Sequence, residues 1–185
     1  MKVDDIICDI KKQEARKKGI RSGDKGNRGE REIAARFNER FSDLLSSNLD
    51  WGRFYKSDGS GAFGHRHLGQ GGQSACIGDV HTPDNFRLVI ESKLGYNDNI
   101  DLNNAFYGGV TKLDEFLDQV EQDAGRTKDR QPVLIWRKDR QKHIVFLKTK
   151  DLPKKKFEYS MKYRDWTAIS LDDLLTFDDQ FFFNL

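Results

Sequence analysis

Cysteine and proline are scarce in this chain. Of 185 residues two are Cys, at positions 8 and 76, and three are Pro. Two cysteines so far apart form neither a disulfide framework nor a paired-cysteine zinc signature, which predicts free thiols in a reducing compartment. Long apolar runs are missing as well. The most apolar stretch near the start, Ile6-Ile7-Cys8, is bounded by Asp4, Asp5 and Asp9. That leaves no signal-peptide core, and nowhere do about 18 apolar residues follow one another to cross a bilayer. A soluble, intracellular protein is expected, with no membrane partner. Charge of one sign is also lacking: 32 Lys and Arg face 30 Asp and Glu, a formal +2. A polyanionic partner would therefore be met by a local basic patch and not by a global field. No GxxxxGK[ST] occurs, so the glycine-rich stretch described below is no P-loop.

What is present is enough for a folded core. Thirteen Phe, five Tyr and three Trp accompany 36% apolar and 34% charged residues, above the limit for disorder. The first thirty positions pair a short amphipathic piece (Val3, Ile6, Ile7, Ile10) with a basic run from Lys11 to Arg31, open to reading as a solvated arm or as a phosphate contact. From Asn27 to about Leu45, Ile33, Ala34, Phe37, Phe41, Leu44 and Leu45 recur at threes and fours and predict an amphipathic helix, with Asp24 or Asn27 as its cap. Trp51 to Lys56 alternates like a strand. Asp58 to Gln73 carries six glycines and predicts a long loop.

Ala75 to His81 and Phe86 to Leu94 then predict two strands joined by a Thr82-Pro83-Asp84-Asn85 turn as an antiparallel hairpin. A second helix through Leu113, Phe116, Leu117 and Val120 should end near Gly125, followed by strands over Pro132 to Arg137 and His143 to Lys148. Ser170 to Asp173 has the form of a helix start. The order predicts an α/β domain, a mixed sheet with helices on its faces. We divide the chain into a basic N-terminal arm over 1–23, a core domain over 24–150 and a C-terminal extension over 151–185 packed on the core, with Phe181-Phe-Phe183 packing onto the core or onto a partner subunit.

The informative constellation is Asp79, in Ile77-Gly-Asp-Val80, and Glu91-Ser92-Lys93. Strand alternation sets Glu91 and Lys93 on one face, and the hairpin turn brings Asp79 alongside. Like charges on neighbouring strands repel unless a divalent cation neutralises them, and hard oxygen ligands suit Mg²⁺ or, as substitute, Mn²⁺. A cation held by Asp79, Glu91 and the Ser92 carbonyl would polarise a phosphate and acidify a bound water, with Lys93 orienting or deprotonating it. A plain surface ion pair between Glu91 and Lys93 stays open at this point.

With these residues the chain resembles the PD-(D/E)XK nuclease superfamily, and within it the archaeal-type Holliday junction resolvases and their phage relatives. Four segments carry the resemblance. Lys25-Gly-Asn-Arg-Gly-Glu-Arg-Glu32 is similar to the family's opening, a glycine turn and a helix whose first turn presents an acid. Lys56-Ser-Asp-Gly-Ser-Gly61 is similar to its serine-bearing loop, Ile77-Gly-Asp-Val80 to its acidic strand with Gly78 in place of the usual Pro, and Val89-Ile-Glu-Ser-Lys93 to its E-x-K strand. The resemblance implies a restriction-endonuclease-like fold and hydrolysis of DNA phosphodiesters to a 5′ phosphate and a 3′ hydroxyl. It implies Glu30, Asp79 and Glu91 as metal ligands, Lys93 as the water-positioning residue and Ser60 in support near the scissile phosphate. Glu32 competes with Glu30, since residues two apart on a helix diverge. A two-fold symmetric homodimer making paired nicks in a four-way junction is the implied assembly.

Lys25, Arg28, Arg31, Arg66, Arg137 and Lys138 are the candidate DNA contacts, and no base-reading motif accompanies them. His65, His67, Cys76 and His81 are too irregularly spaced for a zinc site. A Mg²⁺-dependent, structure-selective DNA endonuclease is the leading expectation. The alternatives are a restriction-like or end-processing enzyme built on the same site, and a non-catalytic DNA-binding module in which the acidic cluster is structural.

Overall fold

The computed structural model describes residues 24–49, 52–57, 77–101, 103–104, 107, 109–127 and 129–185. A five-stranded sheet forms its centre, in the order β3-β4-β5-β7-β6: β3 (Leu88–Leu94), β4 (Gln131–Arg137), β5 (Ile144–Lys148), β6 (Met161–Tyr163) and β7 (Trp166–Ser170). β3 and β4 run parallel and the other neighbours antiparallel, so the sheet is mixed. A two-stranded antiparallel ribbon, β1 (Tyr55–Lys56) with β2 (Val80–His81), lies apart from it. This is the α/β, restriction-endonuclease-like arrangement the sequence implied.

Alternation along the strands divides the core in two. Leu88, Ile90, Val133, Ile135, Val145, Leu147 and Ile169 face one side, and Val89, Leu134, Trp136, Phe146, Trp166 and Ala168 face the other. Both faces are covered, so the central strands are apolar almost throughout. Helix α1 (24–40) and its short continuation α2 (Ser42–Ser47) lay Ile33, Ala34, Phe37, Phe41 and Leu45 on the first face. Helix α3 (Thr111–Gly125) lays Leu113, Phe116, Leu117, Val120 and Ala124 on the second. Both helices follow the 3.6-residue period. Among the described residues no helix is long and apolar enough to cross a membrane.

Three expectations need correction. Of the expected hairpin, 75–76 lie outside the described residues, and 77–81 with 86–94 do not form a regular one: residues 77–79 bend, β2 pairs with β1, and a backbone bond from Asp79 N–H to the Ile90 carbonyl at 2.9 Å ties the bend to β3. A positive φ at Gly78 (91°) breaks the extended conformation that a ladder needs. Second, Gly26 and Gly29 form no turn but lie within α1. A Cβ on Gly29 would stand 3.3 Å from that of Leu94, so the missing side chain lets the helix start press against the end of β3.

Third, the division at residue 150 does not separate an appendage. β7 pairs with β5 along its length and β6 pairs with β7, so the last 35 residues supply two of the five strands. Short helices α4 (Leu171–Leu174) and α5 (Asp179–Phe182) follow, and Ser170 caps the first by accepting the Asp173 N–H at 2.9 Å. Phe182 and Phe183 are fully buried against Phe37, Phe41 and Phe86. Arg40 of α1 holds this tail by donating to the Leu175 carbonyl at 2.7 Å, the Phe177 carbonyl at 3.1 Å and Asp179 at 2.8 Å. Of the two occupants the sequence left open for this triplet, the core takes it.

Candidate active site

The site forms at the outer edge of β3, the end strand of the sheet among the described residues, beside α1 and α3. An edge strand leaves backbone donors and acceptors without a neighbouring strand. Here the bend at 77–79 answers part of that need: Asp79 donates its N–H to Ile90, and its Oδ2 accepts the Ser92 N–H at 2.9 Å. Asp79 is 5% exposed and thereby locked. Gly78 is required for this approach, because a Cβ there would sit 2.6 Å from the Ile90 carbonyl oxygen. The Gly in the place of the family's Pro is thus explained by local packing. Residues along a strand send N–H and C=O to the same side, so the Ser92 carbonyl also points to this edge.

Glu91 and Lys93 lie on the α3 side of β3. Glu91 is 1% exposed. Its Oε1 accepts from the Lys93 ammonium and, at 2.6 Å, from Gln119 Nε2 on α3. Lys93 also stands 3.8 Å from Asp79 Oδ2, so one cation bridges two buried carboxylates. Burial, with Asp79 nearby, pushes the Glu91 carboxyl up to about 8. Burial disfavours the Lys93 charge, but Glu91 and Asp79 outweigh it and hold that ammonium above the ordinary lysine range. Lys93 is therefore a cationic donor and not a free base.

Glu30 continues the buried stripe of α1 one turn before Ile33 and Ala34, and is 6% exposed. Its Oε2 is buried without a hydrogen-bond partner. Burial first, and Asp79 second, raise its pKa. Glu32 points elsewhere, into a bidentate pair with Arg137 at 3.0 and 2.9 Å. The two side chains thus diverge, Glu30 toward the Asp79 cleft and Glu32 toward Arg137.

A cleft of about 320 Å³ opens between the start of α1 and the end of β3, lined by Lys25, Glu30, Asp79, Lys93 and Tyr96 among others. Lys25, on its lining, is paired with Asp139 at 2.5 Å. Arg28 and Arg31 are exposed on α1 and Lys138 is half-buried. Arg137 does not present a free guanidinium, because Glu32 holds it. Ser60 and Arg66, with the basic arm, the glycine-rich loop, His65, His67 and both cysteines, lie outside the described residues. Gln119 was not anticipated from sequence: it is exposed on α3 beside the buried Phe116, Val120 and Asp123, and spacing alone gives no signal that its amide reaches Glu91.

The residues present fit a hard divalent cation. Buried carboxylates with raised pKa values, an orphaned Glu30 oxygen and an edge carbonyl are oxygen donors seeking positive charge. Among the described residues no three of His, Cys, Asp and Glu stand close enough to form a ligand group by themselves. Asp79 and Glu91 would hold the ion, with waters or phosphate oxygens completing the shell as Mg²⁺ sites commonly require. A family model described as phage putative PDDEXK endonuclease matches residues 21–184. No curated protein and no solved structure matches the chain.

Proposed function

The chain belongs to this phage PDDEXK endonuclease family, and from that premise we propose a divalent-metal-dependent DNA endonuclease that cuts branched duplexes. The observation that carries it is the meeting of Asp79, Glu91 and Lys93 at the β3 edge, facing the buried Glu30. Nucleases of this superfamily typically use divalent metals, and Mg²⁺, with Mn²⁺ as substitute, is the cation proposed here. When bound, such an ion polarises the scissile phosphate and lowers the pKa of an attacking water. Asp79 stays fixed by the Ser92 N–H, and Glu91 must give up its proton to become a ligand. Lys93 orients the water and offers its charge to the phosphorane as negative charge develops. Glu30 adds a third carboxylate from α1. The products are a 5′ phosphate and a 3′ hydroxyl.

A four-way junction is the first substrate to try, cut in paired nicks by a two-fold symmetric homodimer. The exposed Arg28 and Arg31 of α1 supply phosphate contacts near the cleft, joined by Lys25 when it exchanges Asp139 for a phosphate. The test is cleavage of a synthetic junction beside linear duplex, flap and single strand, with Mg²⁺, Mn²⁺ or EDTA, by the chain and by Glu91→Ala. Paired nicks confined to the junction, lost with EDTA and with the substitution, are expected. Metal-dependent cutting of other DNA keeps the site and replaces the substrate with the end-processing or restriction-like alternative. No cutting of any DNA, even with Mn²⁺, refutes the enzyme and leaves a binding module.

A further inference from the structure

Tyr96 stands two residues beyond the Leu94 end of β3, lines the catalytic cleft next to Lys93, and is 40% exposed. Its φ of +57° lies in the left-handed region, where a bulky side chain is an outlier. Such a conformation persists only where its surroundings over-determine it. Here they do. Gly95 donates to the Arg137 carbonyl at 2.9 Å, and the Gly95 carbonyl accepts the Trp136 indole N–H at 3.1 Å. The Tyr96 carbonyl accepts the N–H groups of Asn99 and Ile100, both at 3.1 Å.

The ring itself is braced from below. It meets the buried Phe116 edge-on at 4.8 Å, and Phe116 in turn has Lys93 and Lys112 ammoniums at 5.3 and 5.1 Å from its ring centre. An aromatic face beside cations is the arrangement that binds nucleic acid through stacked bases and neutralised phosphates, without reading sequence. A continuous duplex keeps its bases stacked on one another, whereas a flap, a single strand or a branch point held open exposes one.

We propose that Tyr96 is a specificity residue that stacks an unstacked nucleobase next to the phosphate held over Lys93, so that the site selects DNA with such a base. This deepens the nuclease reading and rests on it. The left-handed turn holds the Tyr96 ring on the cleft lining, where a base beside the phosphate would meet it.

The first measurement is single-turnover cleavage of a flap and a continuous duplex by the chain, Tyr96→Trp, Tyr96→Leu and Tyr96→Gly. The second is binding of a 2-aminopurine-labelled single strand in Ca²⁺, followed by the fluorescence quenching that stacking produces. Tyr96→Trp should keep the flap-over-duplex preference and the quenching. Tyr96→Leu and Tyr96→Gly should reduce the preference on the order of tenfold to a hundredfold, the worth of one base–aromatic stack. Tyr96→Gly should do so while still unfolding cooperatively, since relief of the left-handed strain offsets part of the lost Phe116 contact. Cutting with an unchanged preference by Tyr96→Leu refutes the inference and leaves the nuclease standing. Quenching by the parent chain that Tyr96→Leu abolishes, with no cutting of any DNA, refutes the nuclease and leaves the stacking. A chain that neither cuts nor quenches refutes both.

Discussion

Glu91 offers the sharpest physical test, because it is almost fully buried and its carboxyl is pushed from an ordinary 4.5 up to about 8. In the unfolded chain the same group ionises near 4.5. Between these two values the native state keeps a proton that the unfolded chain has released, so this group's stabilisation is complete below pH 4.5 and declines as pH rises to about 8. Three and a half pH units at about 1.4 kcal/mol each give about 5 kcal/mol, an upper bound for a pair coupled to Lys93. Glu91→Gln imitates the protonated carboxyl in size and in accepting from Lys93 and Gln119, and cannot ionise. Thermal and urea unfolding of both proteins in EDTA from pH 4 to 9 measures the difference. The parent should lose stability relative to the variant as pH rises over that interval, by no more than that bound. Millimolar Mg²⁺ at pH 8 should restore much of the parent's loss and little of the variant's, since an ion that binds the ionised native site stabilises it by mass action. A difference curve that is flat, or one that rises with pH, would refute the assignment of a buried, protonated Glu91. A Mg²⁺ response equal in the two proteins would remove Glu91 from the ligand set.

Other outcomes follow from single contacts. Gly78→Ala combines a φ of 91° with a Cβ placed 2.6 Å from the Ile90 carbonyl oxygen, and should cost about 1–3 kcal/mol by denaturant unfolding while freeing Asp79 and reducing cleavage. Glu30→Gln should abolish cleavage with stability equal or higher. Glu32→Gln should lose about 1–2 kcal/mol through the Arg137 pair and retain most cleavage; the reverse pattern would interchange their roles. A chain ending at residue 150 should show no cooperative unfolding by circular dichroism, because β7 and the buried Phe182 and Phe183 are removed. A folded, cooperative fragment would restore the three-part division.

Much of the site was legible because its chemistry is local. Two residues apart on a strand share a face, so Glu91 and Lys93 had to project together, and three or four apart on a helix share a stripe, so Glu30 had to travel with Ile33 and Ala34. The helical periods of α1 and α3 and the apolar runs of β4 and β5 were equally plain. Glu30 and Glu32 were indistinguishable by type, and only the position of Arg137, more than a hundred residues on, assigned one to the cleft and the other to an ion pair.

Pairing between distant segments was not legible. Turn chemistry at Thr82 to Asn85 suggested a hairpin, yet the partner of β3 is β4, reached through α3, because both faces of these strands are apolar and require cover from helices. The 151–185 segment, with its basic start and short strands, has the composition of an appendage. Its place inside the sheet is fixed by the β5–β7 ladder and the phenylalanine cluster around Phe37 and Phe41. The sequence by itself determined the helical periods of α1 and α3, the strands β3, β4 and β5, the acidic and lysine set, and the family. Tertiary structure alone decided which strand edge carries that set, that Gln119 joins it, and that Tyr96 is held open beside it, since each depends on groups brought together by packing across the sheet and not by spacing along the chain.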